Sequence, residues 1–541
     1  MFDLILKGGI VVDGTGNERV RADVGVTRGL IAAVGDLTGR RAERVIDVSG
    51  QFVVPGFVDV LNHADGYLTL FTRPGCDSLV RQGITTIIGG NCGTSLAPLG
   101  SRSVSKIVRR WSSLFGDDVT LPPSTAYEHF LGVRKWTELD GVNIDWFTMR
   151  DFLKAVKKLD VVPSFGTLVG FGTLRRSVVG DASRAATEDE ILLLKEQLRD
   201  ALRDGAMGLS LGLNFAHEVS ESRETLVALA RVVQEEGKVL SVHVRDEKDA
   251  LMDSVEEALE LAVASGVPLL ISHLKAVGVR SAEVYPAVLD RIAQAQADGV
   301  DVNVTVYPYS ASYSVLHQYL PDWAYEGGRE TMLLRFKEPA ERERLIAQLN
   351  TSSEWYGGLV VARTMKLQSS VIGRTVGDIA SQRDVTVGEA VVQILEGNGG
   401  FVMCFDPSIS EERVHDTLQH PLSLVASEGG SYTEEDVSEI GYLPHPRSFG
   451  AFPRFFAEAV RENSLLSWEE AIQKCCSLPA LKMGLRDRGF VSRGLRADLV
   501  VFSPEKIRDR ATLQNPFQYP EGIDYVLIEG GVVVGDVASV E

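Results

Sequence analysis

Thr187-Glu188-Asp189-Glu190 opens the stretch that decides the fold: residues 187–211 read TEDEILLLKEQLRDALRDGAMGLSL. Thr at the N-cap and Glu at N3 make a capping box. Ile191, Leu194, Leu198, Ala201 and Leu202 follow at helical spacing, and Gly205 stops the helix. An apolar strand over 207–211 comes next. The unit then repeats. A helix over 225–236 ends at Gly237 and leads into a strand over 239–244. A helix over 252–264 ends at Gly266 before a strand over 268–272, and one over 282–297 ends at Gly299 before a strand over 301–306. Helix–glycine–strand units repeating about every 30 residues predict a parallel α/β architecture. Their number and even spacing favour a (β/α)8 barrel over a doubly wound sheet, which usually opens with a glycine-rich phosphate loop. Gly89-Gly90-Asn91-Cys92-Gly93 does not match that loop.

Outward from this core, the two chain ends resemble each other. Residues 4–13 read LILKGGIVVD and residues 526–536 read VLIEGGVVVGD. Each places two apolar runs around Gly-Gly, the pattern of a β-hairpin with a tight glycine turn. Further strands are predicted over 22–26, 30–34, 45–47 and 498–502. Residues 1–56 and 488–541 are expected to combine into one small β-sandwich, leaving 57–487 for the barrel. Residues 101–160 break the rhythm and predict an insertion over one barrel face.

The chain has 541 residues, 44% hydrophobic and 24% charged, which excludes large-scale disorder. Its net charge of −19 disfavours nucleic acid as a partner. The densest basic run, Lys106 to Arg110, is short and lacks interleaved aromatics. No segment approaches the roughly 20 apolar residues of a membrane span. Met1-Phe2-Asp3-Leu4 carries no basic leader pattern, so a cytoplasmic location is expected. Five cysteines, an odd number and widely spread, form no disulfide framework.

In such a barrel, chemistry sits where strands end and βα-loops begin. Cys92 follows a strand over 85–89, His243 and His273 end two later strands, and His63 follows the first barrel strand over 57–60. Tyr307-Pro308-Tyr309 follows the strand ending at Val306. A lone histidine there is more often a hydrogen-bonded structural residue, and a lone cysteine an inert buried apolar group. Four such residues at strand ends point together to one mouth and to a metal. Two imidazoles and a thiolate fill three of zinc's four positions and leave the fourth for water, as in catalytic sites. They leave the site one positive charge, enough to acidify that water.

Residues 53–59, VVPGFVD, resemble the opening of the amidohydrolase superfamily. More specifically the chain resembles the N-acyl-D-amino-acid deacylase (D-aminoacylase) family. The matching segments are Gly90-Asn91-Cys92-Gly93, Ser241-Val242-His243-Val244-Arg245, Ile271-Ser272-His273, Tyr307-Pro308-Tyr309, His445-Pro446-Arg447, Phe452-Pro453-Arg454 and residues 496–502, RADLVVF. The resemblance implies a zinc hydrolase of N-acyl amino acids, with the metal held tightly by Cys92, His243 and His273. It implies a substrate carboxylate held by Lys275, Tyr307 and Arg447.

The departures are as informative. The family's His-x-His is here Leu61-Asn62-His63, which predicts one zinc per chain rather than two. The family's Ser-Asp-Gly, whose aspartate activates water, is Ser427-Glu428-Gly429, so Glu428 is the expected general base. Thr305 stands for an aspartate, and Tyr313 for a serine. The altered pocket also admits a changed reaction, cyclic-amide opening or amide-forming condensation, or a non-catalytic binding protein.

Overall fold

The computed structural model describes residues 1–100, 142, 144–180, 184–215, 218–326, 328–364 and 370–535. The basic run Lys106 to Arg110 and most of the insertion expected near 101–160 lie outside the described residues.

The repeated helix–glycine–strand units build the barrel. Its parallel strands are Phe57–Asp59, Ile84–Gly89, Ser164–Thr167 continued by Val169–Gly170, Gly208–Gly212, Val239–His243, Leu269–Ile271, Val302–Val306 and Ser423–Val425. Each pairs in parallel with its predecessor. The ring closes just beyond the first and eighth strands. There the Glu428 N–H donates to the Leu61 carbonyl (2.8 Å), the His63 N–H to the Gly429 carbonyl (2.8 Å), and the Ser427 N–H to Asp59 Oδ1 (2.9 Å). The helix Glu188–Arg203 begins in the expected capping box, and its Leu194, Leu198, Ala201 and Leu202 are buried. Local sequence and tertiary packing therefore agree. No helix among the described residues is long and apolar enough to cross a membrane.

Both chain ends share one eight-stranded sheet. Its joint is Leu499–Phe502 lying antiparallel to Phe52–Pro55. Both strands are buried on both faces, and their side chains alternate between two cores. Val53, Leu499 and Val501 face the sheet's own core, whereas Phe52, Val54, Val500 and Phe502 join the main barrel core. This alternation fastens the sheet to the barrel.

One of the two expected hairpins is absent. At the C-terminal end Ile523–Ile528 and Gly531–Val534 pair antiparallel, and Glu529 and Gly530 both take positive φ (49° and 76°), as a tight hairpin turn requires. At the N-terminal end Phe2–Val11 is one continuous strand with an irregularity between Leu6 and Gly9. Of its two glycines only Gly8 has positive φ (75°). One left-handed residue bulges a strand, and two in succession reverse it.

A further unit stands between the seventh and eighth barrel strands, unforeseen in the sequence. Ser312–Val315, Val402–Asp406 and Val360–Thr364 form an antiparallel sheet with a separate apolar core that includes Leu316, Phe336, Leu359 and Val391.

Candidate metal centre and active site

All eight sequence-predicted site residues gather at the C-terminal mouth of the barrel. Cys92 follows the second strand, His243 ends the fifth, His273 and Lys275 follow the sixth, Tyr307 the seventh and Glu428 the eighth. His63 follows the first, and Arg447 opens the helix Arg447–Phe455.

Backbone geometry aims three of them. Cys92 (φ 52°), His273 (φ 34°) and Glu428 (φ 50°) are non-glycine residues in left-handed conformations, a strained state that clusters at functional sites. Around Cys92 the glycines are obligatory. A Cβ on Gly90 would lie 2.2 Å from the Leu168 carbonyl oxygen, and one on Gly93 2.0 Å from Glu218 Oε1. Asn91 Nδ2 donates to the Ile88 carbonyl (2.8 Å) and ties the turn to its strand. Thr305 Oγ1, standing where the family has aspartate, accepts the His273 N–H (2.6 Å).

The ligand atoms of Cys92, His243 and His273 all lie within 4.8 Å of one another, and all three residues are buried. His273 Nε2 is 3.4 Å from Cys92 Sγ and 2.9 Å from His243 Nδ1. His63 Nε2 is 3.8 Å from Cys92 Sγ on the other side. Burial holds the His243 and His63 imidazoles below the usual range, His63 at about 4, so both are neutral with a free lone pair. Burial likewise pushes the Cys92 thiol well up. A buried thiol becomes a thiolate only beside a strong positive charge. The donor set therefore fits a divalent cation, and its softness fits zinc. Leu61 is buried and its side chain offers no donor atom to a metal.

Two ion pairs frame this cluster, and neither was read from the sequence. Arg447, 1% exposed, donates from Nη1 to Glu428 Oε2 (2.8 Å). Glu428 Oε1 turns to the cluster, 3.9 Å from His273 Nε2 and 4.0 Å from His63 Nε2. Burial raises the Glu428 carboxyl, but the charge of Arg447 above all, with that of Lys275, overrides it and holds the group at about 2. In the second pair Lys275 Nζ donates to Glu247, a residue that sequence reasoning did not single out. Burial disfavours that carboxylate, and Lys275 and the two histidines more than offset it, leaving it far below the ordinary range.

Two donors remain. Tyr307 stacks under the Arg447 guanidinium, 4.7 Å from ring centroid to carbon. Among the described residues the Tyr307 hydroxyl and Arg447 Nε are buried without a hydrogen-bond partner. Orphaned buried donors are rare and costly, and here they mark where a ligand's acceptor belongs. Tyr67 packs on His63 (5.6 Å) and edge-on to Tyr313 (6.3 Å), so the serine-to-tyrosine change adds an aromatic wall beside them.

A (β/α)8 barrel with a sheet built from its chain ends and a Cys–His donor set at its strand termini defines an amidohydrolase. The comparisons agree. Residues 389–534 match the model of the Amidohydrolase family. The chain is 30% identical over 535 residues to an N-acyl-D-glutamate deacylase of Alcaligenes xylosoxydans xylosoxydans, covering 98% of this chain and 93% of the relative. It is 29% identical to a D-aminoacylase of the same organism, over 98% and 94% of the two chains. The crystal structure of N-acyl-D-glutamate deacylase from Bordetella bronchiseptica, complexed with zinc and a phosphonate inhibitor, superposes with a TM-score of 0.79 at 28% identity, over 98% and 96% of the chains. The chain belongs to the N-acyl-D-amino-acid deacylase family of the amidohydrolases, enzymes that hydrolyse amide bonds.

Proposed function

We propose that this enzyme hydrolyses N-acyl amino acids of D configuration, using one zinc ion per chain held by Cys92, His243 and His273. The observation that carries the reading is the pairing of that donor set with the unpartnered Tyr307 hydroxyl and Arg447 Nε. The relatives' substrates support the D-amino-acid class, and Leu61, in place of a donor, supports a single ion.

When bound, zinc supplies Lewis acidity that polarises an amide carbonyl and acidifies water, so that even a weakly basic carboxylate suffices as the proton acceptor. The chain's own residues do the rest. Arg447 Nη1 pins one oxygen of Glu428 and leaves Oε1 facing the cluster. Oε1 takes the proton from water as the water oxygen bonds the amide carbonyl carbon, and returns it to the leaving amine nitrogen as the C–N bond breaks and the acyl group departs as a carboxylic acid. The guanidinium fork has two edges. Nη1 holds Glu428, and Nε with the Tyr307 hydroxyl receives the substrate carboxylate, joined by Lys275. His63, neutral and beside both Cys92 and Glu428, completes the wall of the site.

One observation favours a second reading. Arg447 already carries a carboxylate, which suits a substrate without one, such as a cyclic amide. The deciding experiment is turnover by zinc-loaded enzyme of a panel of N-acyl-D- and N-acyl-L-amino acids, their carboxamide analogues and a cyclic amide. Turnover of the D-configured carboxylates is expected. Turnover of the cyclic or carboxamide compounds alone would replace this reading with the second.

A further inference from the structure

Glu247 lies on the loop leaving the fifth barrel strand, four residues beyond His243, and takes no part in the reaction above. Its Oε1 is 3.1 Å from His273 Nδ1 and 3.7 Å from His243 Nε2, and it accepts from Lys275 Nζ. One carboxylate oxygen therefore stands behind both imidazoles. Each ring turns its opposite nitrogen to the cluster. For His273 this is Nε2, 3.4 Å from Cys92 Sγ, and for His243 it is Nδ1, 2.9 Å from His273 Nε2.

A neutral imidazole carries one ring proton, and a carboxylate can only accept. A ring proton on the nitrogen facing Glu247 meets an acceptor there and leaves the far nitrogen its lone pair. His273 Nδ1 has two neighbours: Glu247 Oε1 at 3.1 Å, which can only accept, and Lys275 Nζ at 3.0 Å, which can only donate and is itself held by Glu247. For His243 the 3.7 Å separation makes the Glu247 contact an electrostatic bias on a nitrogen that, among the described residues, has no other hydrogen-bond partner. Carboxylates behind metal-binding histidines fix tautomer and ring orientation, and their loss typically costs 10–100-fold in metal affinity.

We propose that Glu247 is the positioning residue of the metal centre, holding His273 as the Nδ1–H tautomer and His243 as the Nε2–H tautomer so that both aim bare nitrogens at one cation. The two ligands are thereby set as opposite tautomers by one shared anion. Because the same oxygen holds Lys275, the metal site and one arm of the substrate clamp hang from a single side chain. The inference rests on Cys92, His243 and His273 being the zinc ligands.

The first test needs no variant of Glu247. The chain has nine histidines, and long-range proton–nitrogen correlation spectra of zinc-free, 15N-histidine-labelled protein separate the two tautomers before any cation selects them. Resonances are assigned by their loss in His243→Gln and His273→Gln. Nδ1–H at His273 with Nε2–H at His243 is expected, and an Nε2–H at His273 overturns the proposal. The second test is zinc affinity by competition with a chromophoric chelator. Glu247→Gln and Glu247→Ala are expected to bind zinc 10–100-fold more weakly, while thermal unfolding of the zinc-free proteins shows that they fold. Undiminished affinity in both variants overturns the proposal. If the variants unfold, the wild-type spectrum decides alone. Wild-type protein that binds no zinc, or holds it equally well after Cys92→Ala, instead overturns the assignment of the ligands.

Discussion

Replacing Glu428 separates the two things its carboxylate does. Oε2 accepts from Arg447 Nη1 at 2.8 Å, and Oε1 faces the histidines at 3.9–4.0 Å. Glu428→Gln keeps the length and an acceptor for Arg447 but removes the proton-accepting charge. Its rate should fall 10²–10⁴-fold, the usual contribution of a positioned acid–base group, or about 3–5 kcal/mol of barrier. The change also leaves the buried guanidinium uncompensated, and breaking a buried pair costs about 3–5 kcal/mol of stability. Glu428→Asp does the reverse. It keeps the charge but draws it back by about 1.5 Å, one C–C bond, so the Arg447 contact opens beyond hydrogen-bond reach. Aspartate also tolerates the left-handed backbone at this position better than glutamate. The assay is kcat and KM for an N-acyl-D-amino acid, with zinc content and thermal unfolding measured on the same samples. Glu428→Gln should bind zinc and substrate yet turn over slowly, and Glu428→Asp should keep measurable turnover. Wild-type kcat in a folded, zinc-loaded Glu428→Gln would refute the assignment of the base.

Cys92→Ala should abolish stoichiometric zinc binding, measured by elemental analysis after dialysis, and two tightly held ions in the wild type would contradict the one-ion proposal. Arg447→Ala should raise the acid limb of kcat/KM, measured from pH 4 to 8, because burial then acts on Glu428 with its main counter-charge gone. In the wild type that carboxyl sits below its ordinary 4.5, so its ionisation stabilises the fold above about pH 4.5 and this is lost as pH falls towards 2. Tyr307→Phe removes an unpartnered hydroxyl, so folding should be unaffected by calorimetry while KM for carboxylate-bearing substrates rises. Gly93→Ala should displace Cys92 and lower zinc affinity, since its Cβ would meet Glu218 at 2.0 Å, and unchanged affinity by chelator competition would show that the turn can yield.

The barrel was legible because its signal is local and repeated: a cap, an apolar face, a stopping glycine and a strand. Cys92, His243 and His273 were legible because a strand end is a predictable place. Contacts between loops carry no such periodicity. Nothing in the spacing of Glu428 and Arg447, or of Glu247 and Lys275, says that each pair will meet, since the meeting is set by how separate loops fold over the mouth. The Gly-Gly pair at residues 8 and 9 misled for a related reason. Composition shows that a turn is affordable, and only the neighbours decide whether both residues must reverse. Here Gly8 donates its N–H to Asp23 Oδ1 (2.7 Å), and a Cβ on Gly9 would lie 2.6 Å from Val53 Cγ2, so the strand stays in its sheet. The unit over 312–406 was hidden because its short helices and strands follow no repeat.

The joint between Phe52–Pro55 and Leu499–Phe502 has a temporal side. The inner strand is synthesised early and its hydrogen-bonding partner roughly 440 residues later, which at 5–20 residues per second is a wait of roughly 20 to 90 s. Throughout that interval a wholly apolar strand, FVVP, presents an open edge in a nascent chain, the arrangement most prone to pairing with a neighbour on the same messenger. The proline at its end removes one edge donor and blunts the hazard. Pairing with the later strand therefore closes the edge that the earlier strand leaves open.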